Sequence, residues 1–243
     1  MLNMKAIKII ASQTLASYRK PSSFQIKETY PLPPYSSIIG MIHNACGFTK
    51  YHEMKISIQG SYYSKVNELY TRYEFKPGFY EKDRHQACVS SEKTQKNTGL
   101  TYGPSHIELL FDVKLILHVV IEDKAVLDAV YEGLSHPREY LSLGRREDLI
   151  NIEKIEQVEV KEEELEEDWQ LKQEAYIPKD CFQEDDIKSM ATVYRLNKTY
   201  EVNPKTGIRF WKEQVEAQFV DKGTTVNSET KVLTDGEDIL FLA

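Results

Sequence analysis

Val113-Lys114-Leu115-Ile116-Leu117-His118-Val119-Val120-Ile121 is followed without a break by Glu122-Asp123-Lys124-Ala125-Val126-Leu127-Asp128-Ala129-Val130-Tyr131-Glu132-Gly133-Leu134, so two periodicities stand back to back. In the first segment Val113, Leu115, Leu117, Val119 and Ile121 alternate, which predicts a long strand. In the second the period lengthens: Leu127, Val130, Tyr131 and Leu134 make one helical stripe, Asp123 is placed to cap its start, and Ser135-His136-Pro137 ends it. A further strand is expected through Ile150, Ile152, Ile155 and Val158, whose uneven spacing predicts a bulge.

The same strand-helix-strand order precedes this one. Lys5–Ala11 places Ile7 and Ile9 on one face of a short strand, and a loop through Tyr18-Arg19-Lys20-Pro21 follows. After Pro31-Leu32-Pro33-Pro34-Tyr35, a helix is expected to begin at Ser36 and Ser37, with Ile38, Met41, Ile42 and Ala45 as its stripe and Gly47 as its stop. Ile56, Ile58 and Gly60 alternate with Ser57 and Gln59 as the next strand. Two such halves, separated by an insertion over residues 62–105, predict an α+β fold on the ferredoxin-like βαββαβ plan. The insertion is rich in Tyr, Lys and Arg, carries turn signals at Lys76-Pro77-Gly78 and Tyr102-Gly103-Pro104, and is expected to protrude as a hairpin. Residues 1–160 are read as this domain and residues 161–243 as an acidic segment followed by a small β-rich C-terminal region. Strands are expected there near 192–196, 208–211 and 215–220.

Composition narrows the function. The 243 residues carry a net charge of −7, but residues 1–106 hold 14 Lys and Arg against 7 Asp and Glu, whereas residues 107–243 hold 17 against 31. The average therefore hides a basic N-terminal part able to face phosphates and an acidic remainder. The run from Glu153 to Glu174 has ten carboxylates, fitting a solvated face, or docking against a basic partner. Cys46, Cys88 and Cys181 are too widely spaced for a metal site, and six histidines never pair at i, i+3 or i+4, so no metal is expected. No apolar run approaches the roughly 20 residues that span a bilayer, and Met1–Lys8 has no signal-peptide pattern. The expectation is a cytoplasmic protein without a membrane partner.

Three groups could bind an anion. Ser36 and Ser37 open a helix, whose free N–H groups attract negative charge, although an ordinary cap reads the same way. Gly144-Arg145-Arg146 could meet a phosphate with backbone and guanidinium together, or pair with Glu147 and Asp148. In the insertion Arg72, Lys76, Lys82, Arg84, Lys93 and Lys96 interleave with Tyr70, Tyr73, Phe75, Phe79 and Tyr80, the mixture that single-stranded nucleic acid favours, diluted by five carboxylates. No nucleophile–base pair, carboxylate pair, phosphate loop or dinucleotide motif is present at working spacing. A metal-independent ribonuclease needs only a base, an acid and a cation, for which His43, His85 or His118 with a Tyr and a Lys remain candidates; histidines on apolar faces, as His43 and His118 are, are more often structural.

Residues 29–47, Thr-Tyr-Pro-Leu-Pro-Pro-Tyr-Ser-Ser-Ile-Ile-Gly-Met-Ile-His-Asn-Ala-Cys-Gly, and 140–148, Tyr-Leu-Ser-Leu-Gly-Arg-Arg-Glu-Asp, resemble two motifs of the fifth-numbered CRISPR-associated (Cas) protein family of the RAMP superfamily. They stand in the expected order about 100 residues apart, and the likeness is greatest to the type I-B branch. The resemblance implies an RRM-related domain with a protruding thumb, in a non-catalytic subunit of a type I Cascade surveillance complex. Such a subunit caps the 5′ handle of CRISPR RNA (crRNA), contacts the backbone and large subunits, meets target DNA indirectly, and needs no cofactor. Carried onto this chain, it implies a handle site built from Tyr18, Arg19, Lys20, Ser36, Ser37 and Gly144–Arg146, with Arg72, Lys76 and Arg84 on the thumb. The type I-C branch of the family cuts precursor crRNA itself, so a handle-generating endoribonuclease is the alternative, and a protein-only scaffold the third reading.

Overall fold

The computed structural model describes residues 3–90, 92, 97–181, 186–188 and 191–243. Strand β1 (Asn3–Ala16) is longer than its apolar alternation predicts, because it pairs along both edges. Helix α1 spans Tyr35–Cys46 and is followed by Gly47 in the left-handed region, φ 67°. It begins one residue before the expected serines: Pro34 stands at the N-cap, and neither serine caps the helix. Strand β2 (Lys55–Ser61) leads directly into β3 (Ser64–Lys76). A short β4 (Ala87–Ser90) precedes β5, which runs unbroken from Asn97 to Val120.

The predicted insertion and the predicted third strand therefore share one strand. β3 pairs with the first half of β5, from Ser64↔Phe111 out to Lys76↔Gly99, as a long hairpin. The second half lies between β1 and β2 in the core. At the junction Asp112 has a positive φ of 52°, and the pairing with β1 is interrupted there, between Gln13↔Val113 and Leu15↔Phe111, without a change of register. A residue in the left-handed region kinks the strand where the hairpin leaves the core.

Helix α2 (Lys124–Ser135) starts as expected, Asp123 accepting hydrogen bonds from the backbone N–H groups of Ala125 and Val126. β6 (Asn151–Glu164) returns beside β1, and its bulge opposite Ile10 and Ala11 matches the uneven apolar spacing. The central order is β2-β5-β1-β6, every pair antiparallel. Beyond it lie β7 (Trp169–Gln170), β8 (Glu174–Pro178), β9 (Ile187–Lys188), β10 (Thr192–Val202), β11 (Arg209–Val220), β12 (Thr225–Val226), β13 (Lys231–Thr234) and β14 (Ile239–Leu240). β8, β11 and β10 extend the sheet past β2, and β13 and β14 extend it past β6. The expected boundary at residue 160 falls inside β6, and the C-terminal strands lengthen both edges of the same sheet.

Alternation along the strands fills two faces. Ile7, Ile9, Leu115, Leu117, Val119, Ile56 and Ile58 pack with Ile38, Ile42, Leu127, Val130 and Leu134 of the helices, all buried. The opposite face carries buried polar groups, Lys8, Ser57, Gln59 and His118. Here the chain's end supplies the cover: Gln59 donates to the Ile239 carbonyl at 2.7 Å, the Phe241 N–H donates to Ser57 Oγ, and Lys8 Nζ reaches Asp235 at 2.8 Å, Glu237 at 2.9 Å and Asp238 at 2.7 Å. His118 Nε2 lies 3.0 Å from the same Asp235. A second cluster, with Leu165, Ile177, Val226 and Phe241, forms the core of the C-terminal strands.

Candidate nucleic-acid interface

The end of the sheet from which the long hairpin rises is built by three loops. After β1 the chain folds back on itself, the Tyr30 N–H donating to the Tyr18 carbonyl and the Lys20 N–H to the Glu28 carbonyl, each at 2.8 Å. Glu108 of the hairpin accepts from the Thr29 N–H and faces Lys65, tying this loop to the rising strand. The loop before β6 is fastened by Asp148, which accepts from the Ser17 N–H at 2.9 Å and the Arg145 N–H at 2.8 Å. Gly144 has φ 109°, and a Cβ there would stand 2.9 Å from Asp148 Oδ2 and from the Ser17 carbonyl, so the turn requires glycine.

The expected site residues divide into supports and open cations. Tyr18 is a support: its ring is buried, its hydroxyl donates to Gln13 Oε1 at 2.6 Å, and burial with the nearby Asp148 pushes its phenol well above the ordinary range. It presents no face to a base, contrary to the expectation. Arg145 is likewise committed, its guanidinium meeting Asp148 at 2.6 Å and Glu147 at 3.1 Å. Of the two alternatives for the Gly-Arg-Arg loop, Arg145 takes internal pairing. Arg146 is exposed and, like Arg19 and Lys76, has no ion pair among the described residues. Lys20 faces Glu28 at 3.5 Å, Arg72 pairs with Glu74, and Arg84 lies at the far end of the hairpin, 3.8 Å from Glu81. Ser36 and Ser37 are half-buried in the first turn of α1, and no hydrogen bond joins them to the other groups. Lys93 and Lys96 fall outside the described residues.

One member of the cluster was not legible in the sequence. Lys27, at φ 55°, is buried with its ammonium 4.4 Å from the centre of the Tyr70 ring. Burial, then the charges of Arg72 and Arg19, hold its pKa below the ordinary lysine value. Arg72 stands two residues beyond Tyr70 on the same face of β3, and Arg19 bridges to Thr29 beside Lys27, so three cations, with Glu74 among them, gather where the β1 loop meets the middle of the hairpin. Further out, Tyr73 and Tyr102 stand opposite each other with ring centres 5.9 Å apart and, with Phe75, leave one face of the hairpin aromatic and open.

A family model described as "CRISPR-associated protein (Cas_Cas5)" matches residues 7–219. The chain belongs to the Cas5 family of CRISPR-associated proteins. No curated protein sequence matches it. Among solved structures, this Cas5-family chain is similar to a chain of a "CRISPR RNA-guided surveillance complex", at 18% identity and a TM-score of 0.50 over 90% of this chain and 91% of the other. It is also similar to a CRISPR protein from Archaeoglobus fulgidus, at 12% identity and a TM-score of 0.45 over 99% of each chain.

The three candidate histidines of this Cas5-family chain lie in separate places. His118 lies in the Lys8–Asp235 network under the chain's end. His43 sits among Phe48, Tyr51 and His52 after α1. His85 accepts from the Glu81 N–H in the outer part of the hairpin, beside Tyr80. His118, Asp235 and Asp238 could chelate an ion by distance, but the Lys8 ammonium already lies against both carboxylates and supplies the cation.

Proposed function

We propose that this chain is the crRNA-binding subunit of a type I Cascade surveillance complex, holding the 5′ handle at the root of a thumb and binding without cutting. The grouping of Lys27 over Tyr70, Arg72 on the same strand and Arg19 on the adjoining loop, with exposed Arg146 on the loop fastened to Ser17, supports it most, because unpaired bases and bent phosphates need cations from several directions. The antiparallel order β2-β5-β1-β6 with two helices on one face supports reading the core as ferredoxin-like and RRM-related. The chain's end covers the opposite face of the sheet, so RNA is directed to the sheet end and the thumb. In this reading the backbone and large subunits are its protein partners, target DNA is met indirectly, and the complex is cytoplasmic.

A second reading has a specific observation behind it: the matching family model bears the name Cas_Cas5d, which points to type I-C and to an endoribonuclease that makes the handle, instead of type I-B. His118 is held in the Lys8–Asp235 network, while His43 beside Tyr51 and His85 beside Tyr80 are the histidines that reading would use. The test is to mix the purified chain with labelled repeat RNA in chelator. Retention of intact RNA, weakened by Arg19→Ala and Arg146→Ala, is the expected result. A discrete handle-length product would replace it with the nuclease reading, and salt-insensitive indifference to RNA would leave a scaffold.

A further inference from the structure

The long hairpin is not alone in projecting. β10 and β11 form another, and it points the opposite way: β11 pairs with β8 only through Ala217–Val220, and β8 meets β2 at Gln59 and Gly60, the end from which the long hairpin rises. Arg209, where β11 starts, is thus carried beyond the far end of the sheet. Among the described residues, the outer part of this hairpin has no neighbouring strand beyond its own two.

Its outer residues are the wrong kind for solvent. Tyr200, Val202, Phe210 and Trp211 are each about half exposed, and Ile208 at the turn is 66% exposed. The pairs Tyr200↔Trp211 and Val202↔Arg209 set Tyr200, Val202, Arg209 and Trp211 on one face. Arg209 lies 4.5 Å from the Tyr200 ring centre, and Tyr200 meets Trp211 edge to face. Residues 198–212 hold Lys198, Lys205, Arg209 and Lys212 against the single acid Glu201, although residues 107–243 as a whole are strongly acidic. Lys205 and Arg209 have no ion pair among the described residues. Beside the root of the hairpin opens a cleft of about 1160 Å³ lined by Lys5, Lys55, Lys124, Lys198 and Lys231, which four carboxylates temper.

Open aromatic rings with cations among them, on an arm whose inner part packs on α1 and whose outer part is exposed, match the way single strands are held: bases stack on rings while cations follow phosphates. A protein-binding centre would instead be depleted of lysine, which this hairpin carries as Lys198, Lys205 and Lys212. We infer that the β10–β11 hairpin and the lysine-lined cleft at its root take a second single-stranded segment of nucleic acid, at the opposite end of the sheet from the handle site. The chemistry recognised is a phosphate chain with unstacked bases, which RNA and displaced DNA share.

Trp211 reports on the site directly, because the chain has only two tryptophans. The test uses the full chain carrying Trp169→Phe, titrated with labelled oligouridylate, oligothymidylate and a duplex of about twelve base pairs. Single strands are expected to quench Trp211 emission, and the two single-stranded arms show whether ribose matters. Arg209→Ala with Tyr200→Ala should weaken that binding about ten-fold, with an unchanged far-ultraviolet circular dichroism spectrum, while Tyr200→Phe should retain it. Anisotropy showing bound strand with unaltered Trp211 emission would overturn the inference, as would equal quenching by duplex. Arg19→Ala with Arg146→Ala separates the two sites: loss of handle RNA with intact Trp211 quenching leaves this one standing, and handle binding with no quenching removes it alone.

Discussion

Asp148 Oδ1 lies 2.6 Å from Arg145 Nη2, and the Asp148 side chain is 1% exposed. Asp148 thereby serves as a clasp between the β6 loop and Ser17 at the end of β1, Arg145 is held to it, and its neighbour Arg146 is left as the open cation. Asp148→Ala should cost about 2–3 kcal/mol, since it leaves two N–H groups without their partner and the Arg145 guanidinium with only exposed Glu147. Arg146→Ala should leave the melting temperature nearly unchanged and weaken RNA retention. Thermal melts beside filter binding separate the two, and equal loss of stability in both variants would refute the division.

Gly144→Ala should destabilise by about 1–3 kcal/mol, because the added Cβ meets backbone at 2.9 Å and φ 109° is unfavourable for any side chain. Denaturant unfolding at constant m-value is the measurement.

Lys27→Met keeps the apolar stem over Tyr70 and removes the charge. Handle RNA affinity should fall several-fold, and the slope of log affinity on log salt should become shallower by about 1. An unchanged slope would take Lys27 out of the interface.

The Lys8 network makes stability depend on acid in a defined direction. Burial works against the Asp235 carboxylate, but hydrogen bonds from His118 and Lys8 outweigh it and hold its pKa below the ordinary value. A depressed carboxylate contributes fully above its unfolded pKa of about 3.9 and loses that contribution as pH falls further. Burial likewise opposes the Lys8 ammonium, and its bonds to Asp235, Asp238 and Glu237 raise it above the ordinary lysine value, so its share is complete below about pH 10 and is lost only above. The melting temperature should be level near neutrality and drop below pH 4, more steeply in the native chain than in Asp235→Asn. Lys8→Met at pH 7 should cost about 3–5 kcal/mol by leaving buried carboxylates without their cation.

Joining Thr71 to Pro104, which face each other across the hairpin, through an Asn-Gly turn removes its outer half. Cooperative melting should persist, because the main core draws on β5 only from Leu110 onward, while RNA seating should be lost. Global unfolding in circular dichroism would show that the arm is part of the core.

The central strands and both helices were legible because one buried face imposes period 2 on Ile7, Ile9, Leu115 and Leu117 and period 3.6 on Leu127, Val130 and Leu134. Residues 97–106 were not, since the outer hairpin is largely open to solvent and Tyr102 and His106 need no alternation to stay paired. Ser36 and Ser37 had the right chemistry for a cap, but Pro34, with its fixed φ, took the position. Arg145 and Arg146 look alike in sequence, and only the fold brings Asp148 under the first of them. Lys27 carried no local signal at all, because its partners Tyr70 and Arg72 are more than forty residues away. Buried Lys8 and His118 could be read as core positions but not as an ion network, which waits on a turn at residues 235–238.

Asp112 closes the account of the long hairpin. The arm and the core share one strand, so β5 leaves no linker in which the arm could swivel, and its heading turns at the left-handed backbone of that residue. The chain thus carries its pointing angle as a casting carries a mitre: one backbone torsion re-aims the whole arm while every side chain on its surface stays as it was. Divergence among such arms can therefore proceed along two separate axes, the direction in which they reach and the surface they present on arrival.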